Sequence, residues 1–359
     1  DGGGIRGISS LLILEAIMEK IRDVQGLDHM PRPCEYFDFI GGTSTGGIIA
    51  IMLGRLGMSV GECIRAYKKV AQQAFTPKKT RIFPASPSGA FSAKALEAAI
   101  KQTVREFCTQ PDCVARRKYD PTTAATCPHE EMAFREGSCT KTYHAADFSF
   151  SAVLAITKDN VDARPTLFTT YDTSAALHGC TIWEVARATS AATTFFKHIR
   201  TGRDGIEFVD AGFGYNNPCE VLVEEAQRQF SGRRSLRVLS IGTGLGDVVA
   251  IGNTRLSIIT ALKKMATSSK KVAASLDGRF GGTGQYYRFN VDQGLQDITL
   301  SDWEKASKIS AHARNYLSDN QRAVKDFVDN FIGVVRVGGN GESSQAVVPA
   351  AELSAAQNS

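Results

Sequence analysis

The chain has 359 residues, of which 43% are hydrophobic and 22% are charged, and its formal net charge is +5. This composition excludes a collagen-like fibre, a globally disordered chain and a small disulfide-stapled scaffold, and the length suits one large domain or two. The sequence contains no apolar run of about 18 residues, so it predicts no membrane-spanning helix. The mild positive charge favours anionic partners, a membrane surface as readily as a nucleic acid.

Hydrophobic periodicity predicts helices and strands that alternate along the chain. In chain order, the pattern predicts a helix at residues 5–21, a strand at 35–40, helices at 48–53, 60–75 and 93–107, strands at 148–156 and 167–171, a helix at 181–189, a strand at 206–209, a helix at 220–230, a strand at 237–241, a helix at 256–276, a strand at 286–291 and a helix at 301–335. We expect Gly26 to end the first helix and Ser92 to cap the helix at 93–107. Alternation of this kind favours a mostly parallel sheet that is covered by helices on both faces.

Three segments lack a clear period. Residues 76–92 are rich in proline, serine and lysine, and residues 108–142 are polar, so we expect a surface loop and an exposed, inserted loop, either of which is a candidate lid. The tail at 336–359 is rich in small and polar residues and is expected to be disordered. One folded domain is therefore predicted at residues 1–335.

The chain has eight cysteines, and none of them forms a Cys-x-x-Cys motif. Four are scattered, and we interpret them as reduced, mostly buried thiols of a cytosolic protein: Cys34, Cys63, Cys180 and Cys219. The other four lie close together in sequence, with His129 among them: Cys108, Cys113, Cys127 and Cys139. Their spacing fits no common zinc-binding pattern, so a zinc site, a disulfide and free thiols all stay open.

The strongest local signal is the segment Gly42-Thr43-Ser44-Thr45-Gly46, which follows a predicted strand and precedes a predicted helix. Strand, tight turn and helix are the setting that exposes a nucleophilic serine. Gly42 and Gly46 let the backbone turn sharply, and the helix N-terminus behind Ser44 favours developing negative charge. The same residues also fit a glycine-rich turn with a capping serine.

The chain opens with Asp-Gly-Gly-Gly-Ile-Arg-Gly, which leads into the first helix. Three consecutive glycines, Gly2, Gly3 and Gly4, expose backbone N–H groups that bind an anion, such as the oxyanion of an acyl-transfer reaction. Arg6 is expected to reinforce this field or to pair with a substrate phosphate. Two other interpretations stay open: a dinucleotide site with Asp28 as its acidic residue, and a simple tight turn.

A third segment, Val209-Asp210-Ala211-Gly212, ends a predicted strand in a glycine-containing turn. We expect Asp210 at the carboxyl edge of the sheet, where its carboxylate faces a site, or as a turn residue that bonds its own backbone. A nucleophilic serine needs a base. Asp210 serves directly in a dyad, or it orients a histidine in a triad, for which chain order selects His312. Because His312 lies in the middle of a predicted helix, we interpret it as structural.

These segments together resemble the patatin-like phospholipase family, and fungal members in particular. The resemblance runs from residue 1 to about residue 303 and includes the segments at 31–38, 186–192, 210–218 and 240–244. It implies a three-layer α/β/α fold with a mostly parallel central sheet.

The resemblance also implies residue roles. Ser44 matches the family's nucleophile and Asp210 its partner in a Ser–Asp dyad without histidine. Gly2, Gly3 and Gly4 match the oxyanion loop, with Arg6 beside them, and the turn glycines are Gly42, Gly46 and Gly212.

The implied activity is a calcium-independent phospholipase A or lysophospholipase that needs no cofactor and no metal. Its partners would be phospholipids or other lipid esters at a membrane or micelle surface and not nucleic acid, and its location would be cytoplasmic and peripheral to membranes. Two alternatives stay open: a catalytically silent lipid-binding or regulatory module, and a neutral-lipid lipase or esterase with a Ser-Asp-His triad.

Two features depart from the family pattern. The family's Asp-Gly-Gly or Asp-Gly-Ala is Asp210-Ala211-Gly212 here, and we expect a mild effect because alanine is small. The strand that normally precedes the glycine-rich loop is missing, so we expect this loop to lose its anchor. Because the chain begins with Asp1 rather than Met, we expect a processed protein or a fragment. The resemblance to fungal members implies further domains fused to it in the full-length protein.

Overall fold

A computed structural model describes residues 1–76, 91–120, 127–135, 150–171, 174–193, 195–233, 235–244 and 256–333, with the backbone alone at 256–264. The helices in these ranges are α1 (Gly7–Gln25), α2 (Pro33–Tyr36), α3 (Thr45–Ala50), α4 (Val60–Ala74), α5 (Ala93–Glu106), α6 (Pro111–Tyr119), α7 (Ile182–Thr189), α8 (Gly212–Tyr215), α9 (Cys219–Gln229), α10 (Leu256–Phe280), α11 (Ala306–Asp319) and α12 (Gln321–Phe331). The strands are β1 (Phe39–Thr43), β2 (Phe150–Thr157), β3 (Thr166–Thr169), β4 (Ile199–Thr201), β5 (Ile206–Asp210), β6 (Val238–Ile241) and β7 (Tyr286–Phe289). The predicted α/β class is confirmed.

The larger sheet of the described residues has the strand order β1-β2-β5-β4, with β3 also paired to β2. β1 runs parallel to β2, whereas β3 and β5 run antiparallel to β2, and β4 runs antiparallel to β5. β6 and β7 form a separate parallel pair. The described pairing is therefore mixed. β2 is joined to β3 by residues 158–165, and β4 is joined to β5 by residues 202–205. Connections as short as these produce antiparallel hairpins.

Helices cover both faces of the larger sheet. Along β2, Val153 and Ala155 belong to the main hydrophobic core, whereas Leu154 and Ile156 pack in a second cluster with side chains of α9. This alternation is the period of a strand with both faces buried. The main core also takes buried side chains from α1, α3, α4, α5 and α7. Three layers, helices then sheet then helices, follow from this arrangement.

Several helix ends lie where capping residues predict them. α1 ends at Gly26, whose φ of 64° is left-handed. The Ser92 hydroxyl accepts a hydrogen bond from the Ala95 N–H at the start of α5, as predicted. Ser59 and Thr181 cap α4 and α7 in the same way. Local sequence therefore fixes these boundaries.

Three predicted elements are wrong in part. The strand predicted at residues 35–40 begins only at Phe39, because Pro33 starts the helical turn α2 ahead of it. The helix predicted at 301–335 is interrupted at Asn320, whose side-chain amide donates to the Tyr316 carbonyl oxygen. The insertion predicted as an exposed loop at 108–142 contains α6 and a helical turn at His129–Glu131.

Two other expectations concern membrane-spanning helices and the three segments that lack a clear period. Among the described helices, none combines the length and apolarity needed to cross a membrane. The tail at 336–359, most of the candidate lid at 76–92 and part of the insertion at 108–142 lie outside the described residues.

Candidate active site

Two side chains that the sequence singles out meet at the sheet. Thr43 of β1 pairs with Leu154 of β2, and Asp210 of β5 pairs with Ala155, the next residue of β2. Because Ser44 directly follows β1, its hydroxyl donates a hydrogen bond of 2.5 Å to Asp210 Oδ2 across β2. In a parallel sheet, β5 would run in the same direction as β1 and β2. It runs antiparallel to β2 instead, so the chain approaches Asp210 from the opposite direction.

Ser44 lies in a strained turn between β1 and α3. Its φ of 56° and ψ of −128° make it the one non-glycine residue with a positive φ among those described. Such a backbone costs about 1–3 kcal/mol and persists only where its surroundings enforce it. A Cβ at Gly42 would lie 2.2 Å from the Gly46 carbonyl oxygen, and one at Gly46 would lie 2.4 Å from that of Asp1. Close backbone approach therefore requires both predicted turn glycines.

Asp210 is buried, and burial raises its pKa to about 6, while hydrogen bonds from Ser44 and the Gly212 N–H act in the opposite direction. The Gly212 N–H donates to Oδ1 at 2.7 Å, so each carboxylate oxygen accepts one hydrogen bond. A Cβ at Gly212 would lie 3.1 Å from Oδ1, which explains the glycine there. A carboxylate with this pKa is mostly ionised at neutral pH and is more basic than an exposed aspartate.

The described histidines are not partners of this pair. Within the described part of the chain, the Asp210 carboxylate accepts hydrogen bonds from Ser44 and Gly212. His312, the candidate for a triad, lies in α11, and its ring packs against Gly294, where a Cβ would come within 2.0 Å of Nδ1. The structure thus brings Ser44 and Asp210 together and leaves His312 in a different contact.

The glycine-rich loop lies against the serine. A Cβ at Gly2 would lie 3.1 Å from Ser44 Cβ. The Gly2 N–H donates to the Asn216 carbonyl oxygen at 3.0 Å, and the Gly3 N–H donates to Thr45 Oγ1 at 3.1 Å. Two of the three predicted oxyanion donors therefore have acceptors within the protein, and one of these acceptors is the Thr45 hydroxyl.

The glycine-rich loop is anchored by the final third of the chain. Arg288 of β7 forms hydrogen bonds of 2.9 and 2.6 Å with the Asp1 carboxylate, and both side chains are largely buried. The Thr243 hydroxyl donates to the Gly2 carbonyl oxygen at 2.7 Å. The Ile5 N–H donates to a carbonyl oxygen at residue 300. The expectation that the loop has no anchor is therefore wrong, since later segments hold it.

Arg6 supports the loop and does not face the site. Its side chain is 1% exposed, and its guanidinium donates at 2.9 Å to carbonyl oxygens of both Ile298 and Gly244. Burial lowers the pKa of Arg6 to about 10. A guanidinium held by these acceptors is not free to pair with a substrate phosphate, so that expectation is wrong.

The geometry also opposes a dinucleotide site. Asp28 follows α1, whereas the three glycines precede it. A helix of 19 residues is roughly 28 Å long, but the fingerprint requires its glycines and its acidic residue to contact one nucleotide.

Two side chains outside the predicted set of site residues also line this region. Thr189, at the end of α7, accepts a hydrogen bond from the Ser44 N–H at 2.8 Å and donates to the Leu154 carbonyl oxygen at 2.6 Å. Asn216 is fully buried, and its amide donates to Ser269 Oγ at 2.9 Å. Thr189 lies in the segment at 186–192 that carries part of the family resemblance, and this was the signal that could have identified it.

Among the described residues, one group of potential metal ligands has its donor atoms close together, within 4.8 Å of one another: Cys108, Cys113, Cys127 and His129. Cys139, which the sequence places with them, lies outside the described residues. The group includes neither Ser44 nor Asp210, so it is separate from the catalytic candidates.

Comparisons with known proteins place this geometry in context. The family model described as Patatin-like phospholipase matches residues 1–223. Calcium-independent phospholipase A2-gamma from Homo sapiens is 26% identical over 90% of this chain and 38% of its own length. Patatin-like protein 1 from Oryza sativa subsp. indica is 27% identical over 90% of this chain and 78% of its own. The solved structure of VipD from Legionella pneumophila aligns over 92% of this chain and 78% of that chain, with 11% identity and a TM-score of 0.34. This chain thus spans well under half of the human relative.

Proposed function

Because this chain belongs to the patatin-like phospholipase family, we propose that it hydrolyses fatty acyl esters of glycerophospholipids with Ser44 as nucleophile and Asp210 as base. One observation carries the proposal: the 2.5 Å hydrogen bond from Ser44, in a strained turn, to a buried carboxylate with a raised pKa. A serine in a turn and a buried aspartate each occur as structural residues, but nucleophilic catalysis requires them in contact.

The first half-reaction transfers the acyl group to Ser44. Asp210 accepts the Ser44 proton while Oγ attacks the ester carbonyl carbon. The tetrahedral intermediate then collapses, the bond to the alcohol oxygen breaks, and Asp210 returns the proton to that oxygen as the lysophospholipid leaves. The product is an acyl-Ser44 ester.

The second half-reaction releases the fatty acid. Asp210 accepts a proton from a water molecule whose oxygen attacks the acyl carbon. The second intermediate collapses, the Ser44 oxygen regains a proton from Asp210, and the fatty acid departs. One carboxylate therefore acts as base and acid in both steps, and no histidine is required.

Backbone amides at Gly2, Gly3 and Gly4 are our candidates for holding the oxyanion. The Gly3 N–H is our best candidate among them, because its acceptor, Thr45 Oγ1, belongs to the residue that follows Ser44 and so holds this amide beside the nucleophile. One such donor stabilises an acyl-transfer transition state by roughly 3 kcal/mol. Arg6 contributes indirectly, by fixing the loop that carries these amides.

The substrate and setting follow from the same proposal. We expect a calcium-independent phospholipase A or lysophospholipase that acts at a membrane or micelle surface, and the name of the human relative agrees with calcium independence. We assign residues 1–335 to one catalytic domain, since side chains of α11 and α12 belong to the main core. The net charge of +5 suits an anionic lipid surface.

The test is labelling with a fluorophosphonate ester, followed by mapping of the modified residue. We expect a single adduct at Ser44, none in Ser44→Ala, and unchanged labelling in the control Ser310→Ala, whose hydroxyl only bonds within α11. Hydrolysis of a short acyl ester should be lost with the adduct and should survive calcium chelation. An adduct at another serine, or full activity in Ser44→Ala, would overturn the nucleophile assignment.

The same protein separates the alternatives. A silent lipid-binding module would bind anionic vesicles without turnover and without an adduct at Ser44. A Ser-Asp-His triad would make His312→Ala as inactive as Ser44→Ala, whereas a dyad leaves His312→Ala active. Turnover of neutral lipids in preference to phospholipids would correct the substrate class and leave the dyad intact.

A further inference from the structure

A second group of reactive side chains lies in the insertion, outside the proposed catalytic site. Cys108 follows α5, Cys113 lies on α6, and Cys127 and His129 belong to the segment at 127–135. All three cysteines are buried and His129 is half-buried. The fold thus assembles three thiols and one imidazole from three elements.

The distances within this group match a single tetrahedral ion. His129 Nδ1 lies 3.5, 3.3 and 3.8 Å from the sulfurs of Cys108, Cys113 and Cys127. Cys113 Sγ and Cys127 Sγ lie 3.5 Å apart. Zinc bonds of about 2.3 Å to sulfur and 2.0 Å to nitrogen place tetrahedral ligands roughly 3.5–3.8 Å from one another. A disulfide would instead need sulfurs about 2.05 Å apart, and it would leave one of three thiols unpaired.

α6 buries little of its own surface. Among its nine residues, Cys113 is the only buried one, while Val114 and Tyr119 are 49% and 87% exposed. A helix this short is marginal in water without packing. The segment that carries Cys127 and His129 is better fixed, because Phe134 donates its N–H to the Cys180 carbonyl oxygen and Arg55 donates to that of Phe134. A bond from α6 to this segment would secure the helix.

Neighbouring groups favour the charge of such a site. Three thiolates and one divalent ion carry a net negative charge. Arg116 Nη2 lies 3.4 Å from Cys113 Sγ and 2.9 Å from Asp112 Oδ2, so it offsets the Asp112 carboxylate, which lies 3.8 Å from the same sulfur. The Arg117 guanidinium donates to the carbonyl oxygens of Glu106 and Cys108 and so fixes the chain at the first ligand. Outer contacts of this kind orient and tune metal ligands.

We propose that Cys108, Cys113, Cys127 and His129 bind one structural zinc ion. Three thiolates with one imidazole form a closed tetrahedral set that leaves no open position for substrate, which is the arrangement of structural zinc sites. The ion cross-links the end of α5, α6 and the segment at 127–135. It takes no part in acyl transfer, so the inference is independent of the proposed function.

The test is the metal content of the purified, untagged protein by inductively coupled plasma mass spectrometry. We expect about one zinc per chain, tight enough to survive dialysis, and tetrahedral thiolate ligand-field bands after exchange for Co²⁺. Cys113→Ala and Cys127→Ala should each lose the zinc. Cys63→Ala is the matched control, since Cys63 is equally buried but lies on α4, outside the group of four ligands, and it should retain the zinc.

The wild-type protein keeps the test decisive if the ligand variants do not fold. Less than about a tenth of an equivalent of zinc in folded wild-type protein that has been incubated with zinc and desalted would overturn the proposal. A Cys113–Cys127 disulfide in the intact mass, or copper or iron in place of zinc, would overturn it as well. Cobalt spectra without thiolate bands would show that the metal lies elsewhere.

Discussion

The proposed catalytic corner, which comprises Ser44, Asp210 and the loop at residues 1–6, is held differently from the Cys–His cluster, which comprises Cys108, Cys113, Cys127 and His129. The corner draws its contacts from segments as far along the chain as Leu300, joined by buried hydrogen bonds. The cluster draws on one short stretch whose helix has a single buried side chain. The positions of Ser44, Asp210 and the loop therefore depend on the folding of distant segments of the chain. The positions of the four side chains in the cluster depend instead on what those side chains bind.

Removing the base from the corner should have the largest effect. We expect Asp210→Asn to lower kcat on a short acyl ester by roughly 10²–10⁴-fold, since a positioned general base contributes that much. Asp204→Asn, an exposed aspartate paired with Arg203, is the control and should keep wild-type kcat. A loss of less than about threefold in Asp210→Asn would mean that another group accepts the Ser44 proton.

The pH profile tests the same carboxylate without a mutation. Because the pKa of Asp210 is about 6 and the ionised form is the base, we expect kcat/KM to fall about tenfold per pH unit below pH 6 and to be flat near neutrality. Over two pH units this amounts to about a hundredfold. A midpoint near 4 in steady-state kinetics would contradict a buried base.

The same pKa links Asp210 to stability, with a definite sign. The pKa of this carboxyl group is near 6 in the folded state and about 3.9 in the unfolded state. The folded protein therefore binds the proton more tightly than the unfolded chain does. The contribution of Asp210 to the free energy of unfolding falls by roughly 3 kcal/mol as the pH rises from about 4 to about 6. We expect Asp210→Asn to raise Tm at pH 7 and not at pH 4, as measured by calorimetry.

A smaller effect is expected where the corner depends on one hydroxyl. Thr45→Val keeps the shape of the side chain but removes the acceptor of the Gly3 N–H, so we expect kcat to fall about tenfold as the loop shifts. Thr201→Val is the matched control, because the hydroxyl of this buried threonine donates to the Cys180 sulfur at 3.4 Å, away from the loop, and the variant should keep its activity. Equal activity of the two variants would show that the loop does not need this contact.

Replacing Ser44 by two small residues should measure the strain of its turn. Both Ser44→Ala and Ser44→Gly remove the nucleophile, but only glycine adopts a φ of 56° without strain. We expect Ser44→Gly to exceed Ser44→Ala in unfolding free energy by about 1 kcal/mol in urea denaturation. Equal unfolding midpoints for the two variants would show that the positive φ at residue 44 does not destabilise a residue that carries a side chain.

The smallest expected effect concerns whether the Cys–His cluster and the region around Ser44 are independent of each other. Removing zinc with a chelator should increase hydrogen exchange at residues 108–135, because α6 loses its main attachment. The rate of fluorophosphonate labelling at Ser44 should stay within about twofold, since few of its contacts depend on the cluster. A large drop in labelling would show that the two regions are coupled.

Local motifs were enough to single out the two side chains that the fold brings into contact. Ser44 and Asp210 each sit at the end of a strand, beside glycines that a short segment reveals. The antiparallel direction of β5 was not predictable, because strand order depends on pairing between distant segments. Thr189 and Arg288 were missed for the same reason, since their partners lie far away in sequence.

The insertion shows a different limit. The sequence identified its cysteines but offered no periodic pattern, so it could not distinguish zinc, a disulfide or free thiols. Short helices such as α6 carry too few apolar residues to produce a period. The convergence of three sulfurs on His129 is visible only once α5, α6 and the segment at 127–135 are placed together.

The anchors of the glycine-rich loop are synthesised after Ser44 and Asp210. Ser44 and Asp210 both precede residue 223, where the family match ends, but Thr243 and Arg288 follow it. A ribosome therefore delivers the serine and its base before the residues that fix the loop beside them. We expect Ser44 to become reactive only after residues 243–300 have folded against the glycine-rich loop.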